Sequence, residues 1–466
     1  MASKTKRAAL AALEAKNKKV HFKRNLIILA TTVLIAKVFV AFNIDFNFKE
    51  ILGIHRGAWV GADGENYVYG LKALWERGFF ADEFRLNYWP AGYPLLLLIF
   101  SLSQYSWIFA VTSIIQSALF SFAVMFFSLQ IFQTKLKKLT YPLAFLLLFN
   151  PTLSLSSLVI GYESLLASGF LVILGLIVQD VNSNASKIFK RNFFVSAAIF
   201  SFMSFLQPRM FVAGLFVLSI WAFSRNLRKA AGVVTILSFL IMAILPSVLV
   251  IRNIGAGFGP SVSTNLGTTM AIGSGDDATG AYGPEHKPCS LMKSDSEKVA
   301  CSLKWYATNP VKDIKLIWNK SLYFWSPWYG IVATGTMSRN PWLLIDPVVT
   351  YSKTSNGYKN VVGLPGKIVS YAWMLAGITL LFLGLRMLLK SGGLERLLGL
   401  IAGTIVILNW GISLVTIGDH RFRLPILSVS IFLQAIGFFT LLRKFPLIDS
   451  GPITAVQKIE ASSKPL

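Results

Sequence analysis

The chain has 466 residues, of which 54% are hydrophobic, 13% aromatic and only 14% charged. Soluble domains carry about 25% charge, and here a mean hydropathy of +0.59 is spread along most of the length. A water-soluble globular protein, with or without a signal peptide, is therefore excluded.

The formal charge of +24 comes from 45 Lys and Arg against 21 Asp and Glu, placed in short clusters between apolar runs. That placement sets membrane topology and meets anionic headgroups; it does not line a nucleic-acid groove. Two cysteines and four scattered histidines argue against a disulfide scaffold, a four-ligand zinc site or an imidazole metal centre.

Residues 1–24 form a basic tail with eight Lys and Arg directly before the first apolar run, Asn25 to Phe42. The positive-inside bias puts this tail in the cytoplasm. The polar stretch from Asn43 to Trp89 is too charged for hydrocarbon, so residues 43–92 form a first outer loop. Tyr93 to Leu102 is too short to cross a core of about 30 Å. Ser106 to Gln130 is the second span, closed by Lys135, Lys137 and Lys138.

Further apolar runs lie near 141–158, 162–179, 193–206, 210–223 and 231–251, completing an N-terminal membrane module over 25–251. The Gln207-Pro208-Arg209 interruption predicts two short helices meeting at an outer turn, because an arginine in mid-bilayer is expensive. Residues 252–366 are a polar extracytoplasmic region rich in Gly, Ser, Asn and Pro. Spans near 367–388, 397–416 and 424–442 follow, and then a cytoplasmic tail, 443–466. The expectation is an all-α multi-pass protein of the inner (plasma) membrane, with about ten spans and both termini cytoplasmic.

This topology brings acids and arginines from distant segments to one membrane face: Asp63 and Glu65 in the first outer loop, Glu163 at the fourth span, Arg209 at the outer turn, Arg252 at the seventh, and Asp419, Arg421 and Arg423 before the last. A transporter places ionisable groups near the midplane, whereas an enzyme acting on a lipid-linked substrate needs them at headgroup level.

Several motifs carry a resemblance. Ala62-Asp63-Gly64-Glu65-Asn66-Tyr67, Leu71 to Leu74, Gly78-Phe79 and Pro90-Ala91-Gly92-Tyr93-Pro94 are similar to the first outer loop of bacterial GT-C superfamily glycosyltransferases of the family 39-like group, which includes dolichyl-phosphate-mannose protein mannosyltransferases. Ser263-Thr264-Asn265, Ala278 to Tyr282, Asn309-Pro310, Lys320, Tyr323-Phe324-Trp325 and Arg421-Phe422-Arg423-Leu424-Pro425 also resemble that group.

The resemblance implies a GT-C-like enzyme that takes a sugar from a polyprenyl-phosphate donor and passes it, with inversion, to a lipid, glycan or protein acceptor outside the cytoplasm. The family pattern often has two adjacent acids in this loop; here Gly64 separates Asp63 from Glu65. No Trp-Trp-Asp signature is present, which counts against transfer of whole glycans to Asn.

The same residues suit this chemistry on their own terms. An acceptor hydroxyl is a poor nucleophile, so a carboxylate must take its proton, a role that falls to Asp63 and Glu65. A phosphate leaving group needs charge stabilisation, which arginines supply bidentately. Glu163, Arg209, Arg252, Arg421 and Arg423 are the substrate-binding candidates. No cofactor is assigned. A divalent cation (Mg or Mn) held by Asp63 and Glu65 stays open, since two carboxylates rarely complete a hard-cation site.

Each feature also has an ordinary structural explanation. Asp63 can form a turn, Glu65 and Glu163 can favour helix N-termini, and the arginines can anchor to headgroups. Lys37 snorkels or lines the bundle, Tyr323 to Tyr329 form an interfacial belt, and Asp276-Asp277 lies in a Gly-flanked turn. The competing function of the same topology is a transporter or flippase of lipid-linked or polysaccharide precursors; a non-catalytic membrane subunit is a third. Cys289 and Cys301 share one oxidising-side loop and are expected to pair.

Overall fold

The computed structural model describes residues 2–43, 57, 58, 60, 63–101, 107–183, 186–224, 231–325, 351–354, 357–360 and 363–442. Most of the first outer loop before Asp63, the basic cluster at 225–229, Trp328 and Tyr329, and the C-terminal tail lie outside these residues.

The described residues are mostly helical. The helices in order are α1 (Ala2–Asn43), α2 (Asp63–Arg77), α3 (Phe84–Tyr88), α4 (Gly92–Phe100), α5 (Ile108–Ile131), α6 (Thr140–Phe149), α7 (Pro151–Leu155), α8 (Glu163–Ser183), α9 (Ser186–Leu206), α10 (Arg209–Ser224) and α11 (Ala231–Gly255). Then come α12 (Leu266–Ile272), α13 (Asp295–Thr308), α14 (Pro310–Trp325), α15 (Gly363–Lys390), α16 (Gly393–Val415) and α17 (Leu427–Leu441). One antiparallel hairpin, β1 (Tyr351–Thr354) with β2 (Gly357–Asn360), pairs Tyr351 with Asn360.

Every apolar run of the sequence falls in a helix, but the runs are not equivalent. Six of the described helices are long and apolar enough to cross a membrane, or seven if the α6–α7 pair, bent by 56°, is one span. This multi-pass architecture does not by itself establish ten crossings. The apolar part of α9 follows Lys187, Lys190 and Arg191, and α10 has 16 residues; each falls short of the ~20 residues that span hydrocarbon. The α6–α7 bend follows from Pro151, which takes the first position of the new helix, while the Asn150 side chain accepts from Leu153 N at 2.8 Å. Pro208, as expected, separates α9 from α10.

Helix α8 is the axis of the bundle: 83% of its apolar window is buried, against 28% for α1. It packs on α5 and α9, and the 3-10 turn His420–Ile426 lies against it. Outside, α10 packs on α16, α9 on α11, and α15 on α17. The last pair touches through Gly384 and Gly437, where an added Cβ would collide with Leu433 O and Leu380 O respectively. Small residues permit such close approach where lipid supplies no hydrophobic drive between helices.

Residues 256–325, after α11, hold short helices tied by specific links. A capping box starts α13: Ser294 Oγ accepts from Glu297 N at 3.2 Å, and Glu297 reaches back to Ser294 N at 3.0 Å. Cys289 and Cys301 form a disulfide, as expected, joining the turn before α13 to α13 itself.

Candidate active site

Four separate segments meet at one end of the bundle. The first is the start of α8. Gly161 N donates to Tyr93 Oη at 2.9 Å, holding the chain so that Glu163, only 5% exposed, opens the helix. The second is the start of α10, where Gln207 Nε2 donates to Tyr162 Oη at 2.9 Å and Arg209 follows the proline break. Arg209 is within electrostatic reach of Tyr162, Glu163, Arg421 and Tyr67.

The third segment runs from the end of α16 through the 3-10 turn. Asp419 accepts from Arg421 N at 2.9 Å and forms an ion pair with Arg421 Nε at 3.2 Å. Asn409 Nδ2 donates to Phe422 O at 2.7 Å, fixing the turn from the α16 side. The Phe422 ring thereby receives two cations, with Arg209 Cζ 4.9 Å and Arg421 Cζ 5.5 Å from its centroid. Arg421 also lies 5.4 Å from the Tyr282 ring and Arg423 5.8 Å from that of Trp325.

The fourth segment is α2. Tyr67 packs edge-on to Tyr93, with ring centroids 5.2 Å apart, and lies 6.1 Å from Tyr162. Asp63 is the first residue of α2, one turn before Tyr67; its side chain lies outside the described residues. Helical register carries Asp63 to the same face as Tyr67 and sets half-buried Glu65 about 200° away. Among the described residues no three His, Cys, Asp or Glu side chains gather as a metal site.

Of the expected site residues, Glu163, Arg209 and Arg421 come together, with Arg423 in the same turn as Arg421. Arg252 is engaged in a different way. Fully buried, it donates to Leu86 O at 3.3 Å, to Asn253 Oδ1 at 2.8 Å and to Ala81 O. Asn253 in turn donates to Ser261 O at 2.8 Å. Arg252 thus ties the α2–α3 connection to the exit of α11.

A buried support lies behind the third segment. Lys320 Nζ, on α14, donates to Leu414 O at 2.8 Å and to Tyr306 Oη at 2.9 Å, while Tyr306 Oη donates to Val415 O at 2.8 Å. These contacts satisfy carbonyls at the end of α16 that have no intrahelical partner. Burial pushes the Lys320 ammonium down to about 7, opposed by the charge of Asp313. Burial, and secondarily Asp313, raises the Tyr306 phenol.

Sequence reasoning quoted Tyr67, Tyr93, Gln207 and Lys320 within its motifs but gave them no place in the site, and it did not single out Tyr306 or the contacts that join these residues.

The electrostatics define what this end of the bundle can bind. Arg209 and Arg421 lie within electrostatic reach of one another, with Glu163 beside Arg209 and Asp419 paired to Arg421, and Arg209 Nε is a buried donor with no hydrogen-bond partner among the described residues. Like-charged guanidinia held close together favour an anion between them.

The fold is that of a multi-pass membrane protein, with six described helices long and apolar enough to cross a membrane. The oligosaccharyltransferase of Archaeoglobus fulgidus, tethered to an acceptor peptide containing the NVT sequon, superposes with a TM-score of 0.50 at 12% identity, over 91% of this chain and 50% of that one. The archaeal oligosaccharyltransferase AglB from the same organism, in complex with an inhibitory peptide and a dolichol-phosphate, gives 0.48 at 13% identity, over 96% and 53%. The chain spans about half the length of these structures. No family model and no curated protein matches the sequence.

Proposed function

We propose that this protein is an inverting glycosyltransferase that moves a sugar from a polyprenyl-phosphate donor to an acceptor at the extracytoplasmic face of the inner membrane. The observation that carries the reading is the meeting of Glu163, Arg209 and the Asp419-to-Arg423 turn at one end of a membrane bundle, beside the start of α2. A lipid phosphate presents its charge at that level. The likeness of the fold to an oligosaccharyltransferase tethered with an acceptor peptide, at a TM-score of 0.50, supports the same reading.

In this mechanism Arg209 and Arg421, both against the Phe422 ring, bind the donor phosphate, with Arg423 adding charge from the same turn. Asp419 orients Arg421, and Glu163 balances Arg209. The acceptor hydroxyl loses its proton to the Asp63 carboxylate as its oxygen bonds to the anomeric carbon. The bond from that carbon to the phosphate oxygen breaks on the opposite face, leaving polyprenyl phosphate. Arginine contacts that strengthen as charge moves onto the phosphate lower the barrier. Glu65, half-buried on α2, would shape the acceptor side, and Arg252 fixes the connection that follows α2, the helix carrying both acids. A lipid, glycan or protein hydroxyl fits as acceptor.

The basic N-terminal tail supports a cytoplasmic N-terminus. The reading is tested by incubating purified protein with a panel of labelled polyprenyl-phosphate sugars and candidate acceptors. Stoichiometric appearance of polyprenyl phosphate and glycosylated acceptor is expected. Movement of intact donor across a vesicle membrane without cleavage would replace the enzyme with a transporter.

A further inference from the structure

Helix α14 has two faces that do not match. Leu316, Lys320 and Phe324 are buried against the rest of the protein. On the far side Val311, Ile314, Trp318 and Leu322, spaced for one helical stripe, are 82%, 67%, 65% and 49% exposed. Lys315 and Asn319 lie along one edge of that stripe by helical register. A water-facing helix in a polar loop has no reason to show such a stripe.

Its height relative to the bundle identifies what meets it. The Lys320 and Tyr306 links place the middle of α14 at Leu414 and Val415, the last turn of α16. The end of α14 goes deeper: Trp325 packs edge-on to Trp410, with ring centroids 6.1 Å apart. Trp410 precedes Val415 by five residues, about 7 Å of helix rise. Since α16 is one of the helices able to cross the membrane, the C-terminal half of α14 sits at, and a little inside, the end of a span. Amphipathic helices bury their apolar face about 5–10 Å into this boundary, with lysines reaching back to anionic headgroups and tryptophan at headgroup level.

We infer that α14 enters the membrane boundary from outside, with the Trp318 and Leu322 end of its apolar stripe immersed in the lipid of the protein's own membrane. The Lys320–Tyr306 support is then the joint between this float and the end of α16. The site segment that follows α16 would be held at a fixed depth. The inference rests on the membrane reading of the fold and not on the proposed chemistry.

The test is nitroxide scanning of the full chain in nanodiscs containing anionic phospholipid, without donor. Both native cysteines are joined in the disulfide, so Trp318→Cys, Leu322→Cys and Lys315→Cys each offer one reactive thiol. Labels at 318 and 322 should be relaxed several-fold more by oxygen than by an aqueous nickel chelate, and the label at 315 should show the reverse. Nickel accessibility at all three would put the stripe in water. Exclusion of both relaxants from 318 and 322 would put protein, such as a second copy, over it. Either result overturns the inference.

Discussion

Arg209, the first residue of α10, lies 4.9 Å from the ring of Phe422, more than two hundred residues further along the chain. Arg421 lies 5.5 Å from the same ring. The aromatic face keeps two like charges close, and a bound phosphate would relieve their repulsion. Polyprenyl phosphate at ~100 times its dissociation constant should therefore stabilise the wild-type protein by about 2.7 kcal/mol. In thermal unfolding this appears as a raised Tm, and Arg209→Gln should lose most of the shift while keeping the unliganded Tm within a few degrees. An equal shift in both proteins would remove Arg209 from the phosphate site.

Lys320 gives a pH signature. Burial lowers its folded-state pKa to about 7, whereas its ordinary value is 10.5. Between these values the unfolded chain binds a proton that the folded chain does not, so this residue's contribution to stability rises with pH from about 7 to about 10 and is flat below. Tyr306 and Asp313 are the titratable groups that shape it. The Tm difference between wild type and Lys320→Met should shift in favour of wild type across that window. A pH-independent difference would show an ammonium that is not desolvated.

The Cys289–Cys301 bond closes a loop with a sequence separation of 12. By chain entropy it contributes about 3 kcal/mol to the local fold. Unreduced, unfolded protein should show no reactive thiols. The double Cys→Ser variant should open this region to proteolysis while the membrane helices keep their helical signal. Two free thiols in the untreated protein would contradict the bond.

Much of the scaffold could be read from sequence because lipid leaves few choices: an apolar run must close its backbone hydrogen bonds internally, so each run became a helix. The number of crossings could not be read as easily. Whether α9 and α10 each cross depends on tilt and packing, not on hydropathy. For the site, the ends of apolar runs marked Glu163, Arg209 and Arg421, because charged residues cluster where a span stops. Arg252 also ends a span, yet its partners are backbone carbonyls of Ala81 and Leu86, which sequence cannot reveal. The tyrosine triad and the Lys320 support were illegible for the same reason: they join segments far apart in the chain through side-chain geometry alone.

The α15–α17 contact should be intolerant of bulk. A Cβ at Gly437 meets Leu380 O, and one at Gly384 meets Leu433 O. Gly437→Leu should cost about 1–3 kcal/mol through overpacking, read as a lower Tm and reduced recovery of folded protein. Leu441→Ala, at an exposed position near the end of the same helix, should be nearly neutral. A tolerated Gly437→Leu would mean that the two helices are not in contact through these glycines.

The central proposal is that Asp63, the first residue of α2 and one turn before Tyr67, removes the acceptor proton. The most direct measurement is single-turnover sugar transfer by Asp63→Asn, with donor binding measured in parallel on the same preparation. The account predicts a rate lower by ~100-fold or more, the scale of a lost general base, with donor affinity unchanged within a few-fold. A folded Asp63→Asn protein that transfers sugar at the wild-type rate would contradict it.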